Sequence, residues 1–287
     1  MSKARRIAVK VNKNGEKVLH ADTLELKNHI YWRRRLCPAL SALAGYGFFY
    51  QVMVPLPLMA TANYHLYHHP FDPASRRIRL ALAEKGVSFS LILEKPWDPS
   101  PALRALNPAA DVPVLVVEMS GDKQVVIDGQ AICEYLDETH TGTLLGATPM
   151  ERAETRRLIG WFDRKMQREV TDFLVHEKAV KRLCGGGGEP DSTIIRAACA
   201  NIKGHLDYIG WLTERRNWLA GDALTLADLA AGAHLSIIDY LGDVPWNAFP
   251  LAKEWYARLK SRPSFRGILG DHLAGFPPPP HYANLDF

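Results

Sequence analysis

The densest run of chemically capable side chains in this chain is His68-His69-Pro70-Phe71-Asp72-Pro73-Ala74-Ser75-Arg76-Arg77-Ile78-Arg79. Its two imidazoles have the chemistry to move protons or ligate a metal. Neighbours on a strand point to opposite faces, so His68 and His69 would not chelate one ion together and read as structural histidines. Asp72 before Pro73 reads as a helix start. The carboxylate caps free N–H groups, and proline suits the first helical position because its missing N–H has no partner to lose. Arg76 is placed near any anion held at that start, and the three arginines otherwise decorate the helix.

The surrounding pattern supplies the frame for this run. Residues 64–69 read as a strand, and the helix runs on through Ile78, Ala81 and Leu82 to a stop at Gly86. Residues 87–94 alternate as a second strand. Val112-Pro113 leads into the buried-type strand Val114-Leu115-Val116-Val117. A Gly121-Asp122 turn then predicts a hairpin with Val125-Val126-Ile127. Asp128-Gly129-Gln130 opens the next helix. The order β-α-β, then β-β-α, predicts a four-stranded sheet with helices against it. Beyond residue 148 only helical spacing is present, first over 150–183 with Leu158, Trp161, Phe162, Met166, Val170, Phe173 and Leu174. The glycines at 185–188 lack the Gly-Lys-Ser/Thr of a phosphate loop and read as a linker. A helix over 192–215 follows. Thr225 with Asp228 is a capping box, and 249–270 supply two short helices.

Composition narrows the class. Of the 287 residues 47% are hydrophobic and the formal charge is +4, which excludes disorder for most of the chain. Cys37, Cys133, Cys184 and Cys199 lack the paired spacing of a zinc or CxxC site, so no metal is expected and reduced thiols in the cytoplasm are the simplest reading. Residues 1–58 hold ten Lys/Arg against three Asp/Glu, and the rest of the chain is net acidic. A nucleic-acid partner is therefore not expected from the pI. No Asp, Glu, Lys or Arg occurs from Leu36 to Phe71. Three readings of residues 1–58 stay open: translated sequence upstream of a start at Met59, a membrane anchor over 36–58, or a signal peptide ending near Ala60-Thr61-Ala62.

Taken together, an α/β half and an all-helical half resemble the cytosolic glutathione transferase superfamily. Leu66 to Arg79 is similar to its first strand and helix, Val112-Pro113 to its cis-proline, Asp128-Gly129-Gln130-Ala131-Ile132 to its Glu-Ser-x-Ala-Ile element, and Thr225 to Asp228 to its capping box. The resemblance implies a thioredoxin-like domain over 59–147, an all-helical domain over 148–274 and a Pro-rich tail over 275–287. It also implies glutathione as substrate, contacts from Val112, Pro113, Asp128, Gly129 and Gln130, and no further cofactor. The family needs a hydroxyl or thiol after the first strand to stabilise the glutathione thiolate, and a carboxylate–hydroxyl pair to hold the γ-glutamyl group. Here Asp72 stands at the first place and Gly129 replaces the serine of the second. A carboxylate about 4 Å from a thiolate destabilises it by ~4 kcal/mol at an effective dielectric of ~20, roughly three pKa units. Ser75 is the fallback catalytic hydroxyl, and a first-turn capping residue is the better reading of it.

Residues 68–76, Pro96-Trp97-Asp98-Pro99 and the terminus His281 to Phe287 are similar to a non-catalytic alphaproteobacterial branch of the superfamily, cell-division proteins that bind the tubulin homologue FtsZ. That resemblance implies a homodimer that binds FtsZ at the division site; the alternative is a transferase joining glutathione to electrophiles. Trp97 lies in a Pro-flanked loop and reads either as a binding hot spot or as a ring packed on the sheet edge. Four prolines at 277–280 predict a stiff spacer that carries Tyr282, Asn284, Leu285, Asp286 and Phe287 away from the body, to a partner or to a frayed end. Phe265 either extends that patch or fills the last helix.

Overall fold

The computed structural model describes residues 62–185, 188–273 and 275–285, and two short strands nearer the N-terminus. Those strands, β1 (Val9–Val11) and β2 (Lys17–Leu19), pair antiparallel with Val9 opposite Leu19. They belong to a compact unit of their own, Met1–Met59, and Ala60–Phe287 forms the other. The apolar run 36–58 lies outside the described residues.

The larger unit begins with β3 (Asn63–His68), α1 (Pro73–Glu84), β4 (Phe89–Leu93), α2 (Pro101–Leu106), β5 (Val114–Met119), β6 (Asp122–Ile127) and α3 (Gly129–Thr139). The sheet order is β4-β3-β5-β6. β3 runs parallel to β4, with Tyr64 opposite Phe89, and antiparallel to β5, with Tyr67 opposite Val114. A central strand covered on both faces must be apolar throughout, and Val114 to Val117 are buried without interruption. Ser120 and Gly121 both take left-handed φ, 54° and 90°, which is the turn geometry that matches the twist of a tight hairpin.

The helical half contains α4 (149–183), α5 (Ser192–Thr213), α6 (Leu226–Tyr240), α7 (Pro250–Lys260) and α8 (Arg266–Leu269). α4 is continuous, as its spacing predicts, but Trp161–Thr171 and His176–Val180 are π-helical, a geometry concentrated at functional sites. Every residue of α6 is buried. Thr225 caps it, accepting from Ala227 N–H, and Asp228 reaches back to Thr225 N–H at 3.0 Å.

α1 packs against both α3 and α6, and this enclosure corrects the reading of its arginines as surface decoration. Arg76, Arg77 and Arg79 are 0%, 1% and 5% exposed. Buried cations must be paired. Arg76 donates to Pro70 O, Ser236 Oγ and Tyr282 Oη. Arg77 pairs with Asp163, and Arg79 grips both Asp271 oxygens at 2.7 and 2.9 Å. Arg76 thus braces the loop before the helix start and is not among the residues lining the cavity there.

Candidate functional site

Asp72 is the N-cap of α1, and its Oδ2 accepts Ser75 N–H at 2.6 Å. Burial pushes its carboxyl up to about 6, against the pull of the Ser75 hydrogen bonds. Ser75 is fully buried, and its hydroxyl oxygen accepts His69 N–H at 3.4 Å. Its hydroxyl thus ties the first turn to the preceding loop. His68 and His69 are buried too, and burial first, then the neighbouring Arg79 and Arg76 charges respectively, push each down to about 4. Both are neutral at physiological pH, and His69 Nδ1 accepts Phe71 N–H at 3.2 Å. No cluster of three or more His, Cys, Asp or Glu placed to hold a metal occurs among the described residues.

A cavity of about 650 Å³ opens at this helix start. The 69–73 loop forms one wall. The Pro96-Trp97 loop forms a second, with the Trp97 ring edge-on to His69 at 5.2 Å. Trp97 is half-buried on that loop, and its ring forms part of the cavity wall. α4 supplies the third wall through Gln167, Thr171, Phe173, His176 and Val180. The sequence reading missed these α4 residues as site residues and set Phe173 with the core, whereas it is exposed on the cavity side. Helical spacing marked their neighbours Met166, Val170 and Leu174 as core, and only the packing of α4 beside the loop selects the adjoining face.

The start of α3 is built differently. Asp128 takes φ 81°, and its Oδ1 accepts Gln130 N–H at 2.8 Å and Ala131 N–H at 3.0 Å. A Cβ on Gly129 would sit 3.0 Å from Ala74 Cβ and 3.0 Å from Arg77 Nη2. Ala74 cannot swing aside, and Arg77 is held by Asp163. Burial works against the Asp163 charge, yet Arg77 and His234 hold its carboxyl below the ordinary range. Close packing therefore accounts for a glycine where the family pattern has serine. Asp128 and Gln130 line a second hollow, of about 350 Å³, with Glu134, Arg156, Asp163 and Arg164. Val112-Pro113 is cis, with Pro113 buried, and neither residue is among those lining the two hollows. Asp128 and Gln130 thus line a hollow other than the one beside Asp72, whereas Gly129 packs against Ala74, the neighbour of Ser75.

The tail corrects the expectation of a projecting strut. After Phe276 the chain turns back, with Tyr282 N–H on Pro279 O at 2.9 Å. Tyr282 is fully buried beside Phe71, Ile237 and Tyr240. Its Oη accepts from Arg76 and donates to Ile268 O, each at 3.1 Å. Lys260 holds His281 O at 3.0 Å, and the His281 ring meets Asp239 Oδ1 at 3.0 Å. Phe265 is fully buried against Tyr256. An apolar pocket with a hydrogen-bond partner for the phenol takes Tyr282 in, so neither Tyr282 nor Phe265 is open to a partner. Asn284 and Leu285 are exposed, whereas Asp286 and Phe287 lie outside the described residues.

Sequence profiles of the glutathione S-transferase N-terminal and C-terminal domains match residues 73–139 and 202–263. FtsZ-localized protein A of Caulobacter vibrioides (strain NA1000 / CB15N) is 49% identical over 223 residues, covering 77% of this chain and 97% of that protein. The chain belongs to the glutathione S-transferase superfamily. The structure of FzlA from C. crescentus superposes with a TM-score of 0.76 at 49% identity, over 78% of this chain and 100% of that one. A glutathione S-transferase from Rhodospirillum rubrum F11 gives 0.75 at 53% identity, over 78% and 100%. The four-stranded α/β half followed by a helical half is thus the transferase fold that the sequence pattern implied. No helix among the described residues is long and apolar enough to cross a membrane.

Proposed function

We propose that the protein is a non-catalytic transferase-fold scaffold that binds FtsZ filaments in cell division, acting in the cytoplasm as a homodimer. The observation that carries this reading is Asp72. Its carboxylate occupies the start of α1 and lines the adjoining cavity, so the positive end of the helix is already used and a thiolate there would be repelled. Kinship with FtsZ-localized protein A supplies the partner. Among the described residues, half-buried Trp97 and exposed Asn284 and Leu285 are the contact residues that remain at the surface. A dimer engages two sites on one filament and turns weak contacts into avidity.

The test is co-pelleting with FtsZ assembled on GTP, run beside a glutathione-affinity column and a chromogenic conjugation assay. Saturable co-pelleting is expected, weakened by Trp97→Ala and by deleting residues 284–287, which leaves the Tyr282 anchor in place. No retention and no turnover above buffer are expected. Absence of co-pelleting, or robust conjugation abolished by Ser75→Ala, overturns the reading. The cavity beside α1 favours one competitor, a transferase joining glutathione to electrophiles, and the conjugation assay decides between them.

A further inference from the structure

We propose that the cavity at the start of α1 binds an amphiphilic organic cation, an ammonium group carried on an aromatic or aliphatic body. Its volume, about 650 Å³, falls within the range of roughly 300–1,000 Å³ typical of small-molecule sites. Phe71, Pro96, Trp97, Phe173, Val175 and Val180 give it an apolar, ring-rich lining. Aromatic faces attract cations as well as hydrocarbon. The wall is preformed, because Phe71 packs edge-on against Tyr240 at 5.4 Å and Phe276 at 6.3 Å. A preformed wall spares a ligand the cost of ordering it.

The charge of the lining points the same way. It contains Asp72, Asp172 and Glu177, and no lysine or arginine among its described residues. Glu177 is already taken by Lys181 and Asp191 N–H. Asp72 and Asp172 have no salt-bridge partner within the described set; Asp72 receives hydrogen bonds from the Ser75 N–H and hydroxyl, and Asp172 one from the Gln167 side chain. The histidines of the lining are His69, held neutral by burial, and His176. Burial also raises both aspartates, which expresses the penalty of ionising them in this enclosure. A bound ammonium relieves that penalty, whereas an anionic tripeptide adds to it. Nothing in this argument uses a protein partner, so the site stands or falls apart from the FtsZ reading.

The test is isothermal titration of the full chain at pH 7.5 with three probes of one shape: 4-phenylbutyltrimethylammonium, 4-phenylbutanol and 4-phenylbutanesulfonate. The cation is expected to bind about tenfold or more tightly than the alcohol, with no binding of the sulfonate. Asp72→Asn keeps the cap, since asparagine caps as well as aspartate; it should weaken the cation about tenfold and leave the alcohol unchanged. Asp172→Asn provides the same readout, at about threefold, should the first variant fold poorly. Equal affinity for the three probes, no heat with the cation, or affinity unchanged in both variants overturns the proposal. A protein that binds the cation but does not co-pellet with FtsZ overturns the scaffold reading alone, and the converse result overturns this inference alone.

Discussion

At the start of α6 the Asp228 carboxylate is ringed by donors: Leu219 N–H, Thr225 N–H and hydroxyl, and Trp255 Nε1, all between 2.9 and 3.1 Å. At the start of α1 the Asp72 carboxylate takes Ser75 N–H and borders an open cavity. Asp72 takes a first-turn N–H of its own helix, whereas Asp228 takes the N–H of the capping residue Thr225, and burial raises both carboxyls. What separates them is the number of donors and the presence of space. Asp228 is a structural knot joining α5's trailing loop, α6 and α7. Asp72 keeps a charge that its own chain does not fully answer.

The largest expected effect breaks the first side of that contrast. Asp228→Ala leaves an N–H, a second N–H with its hydroxyl, and an indole donor buried without a partner. At about 1–3 kcal/mol for each stranded donor, partly relieved by relaxation, the loss is about 4 kcal/mol. Urea unfolding of the variant measures it, and a loss below about 1 kcal/mol would make the two helix starts equivalent.

A smaller effect, of opposite sign, is expected at α1. The folded protein holds the Asp72 carboxyl at about 6, against an ordinary 3.8. An acid raised on folding opposes folding once it is ionised, and stops doing so as pH falls through its folded value. Asp72→Asn is therefore expected to stabilise the protein by about 2 kcal/mol at pH 7.5, with the gain vanishing by pH 4. Unfolding midpoints of both proteins across that range provide the check. A constant difference would mean that the carboxylate is answered as fully as that of Asp228.

These two starts also show what a sequence can and cannot disclose. Asp72-Pro73, Thr225 with Asp228, and the Gly121 turn are local devices, each completed within four residues, and the strands and helices they bound were readable on that account. The arginines of α1 were not. Whether Arg77 is surface or core depends on Asp163, 86 positions away, and Arg76 finds Tyr282 across 206 positions. Tyr282 itself follows four prolines that signal extension, and only the turn back to Pro279 reveals a plug instead of a strut. Of the candidate site, the cap was legible, and beside it the family resemblance implied the cis Val112-Pro113 that the structure holds. The third wall was not, because the π-helical stretches of α4 carry the same apolar spacing as an ordinary helix.

The start of α3 offers a third, smaller test, whether the family's pattern can be restored. Gly129→Ser supplies the missing hydroxyl but drives a Cβ to 3.0 Å from Ala74 Cβ and Arg77 Nη2. Overpacking of this kind destabilises by about 1–2 kcal/mol. The variant should unfold earlier in urea and still fail to bind glutathione by titration. Acquired binding with unchanged stability would show that α3's start was never the obstacle.

Ser75→Ala carries the smallest expected effect and the finest discrimination. The hydroxyl accepts His69 N–H at a long 3.4 Å and hydrogen-bonds the Asp72 carboxylate, so its removal should lower stability by about 1 kcal/mol. FtsZ co-pelleting should be unchanged, because the side chain is fully buried and offers nothing to a partner. Any trace of glutathione conjugation should survive as well. A hydroxyl that activates sulfur must reach the reacting atom, and this one is enclosed behind the capping turn. If the folded variant instead loses a measurable conjugation rate by about tenfold, a barrier change of about 1.4 kcal/mol, then the hydroxyl swings into the cavity during turnover. In that case Asp72 orients a catalytic serine, and the start of α1 differs from that of α6 by chemistry and not merely by an unanswered charge.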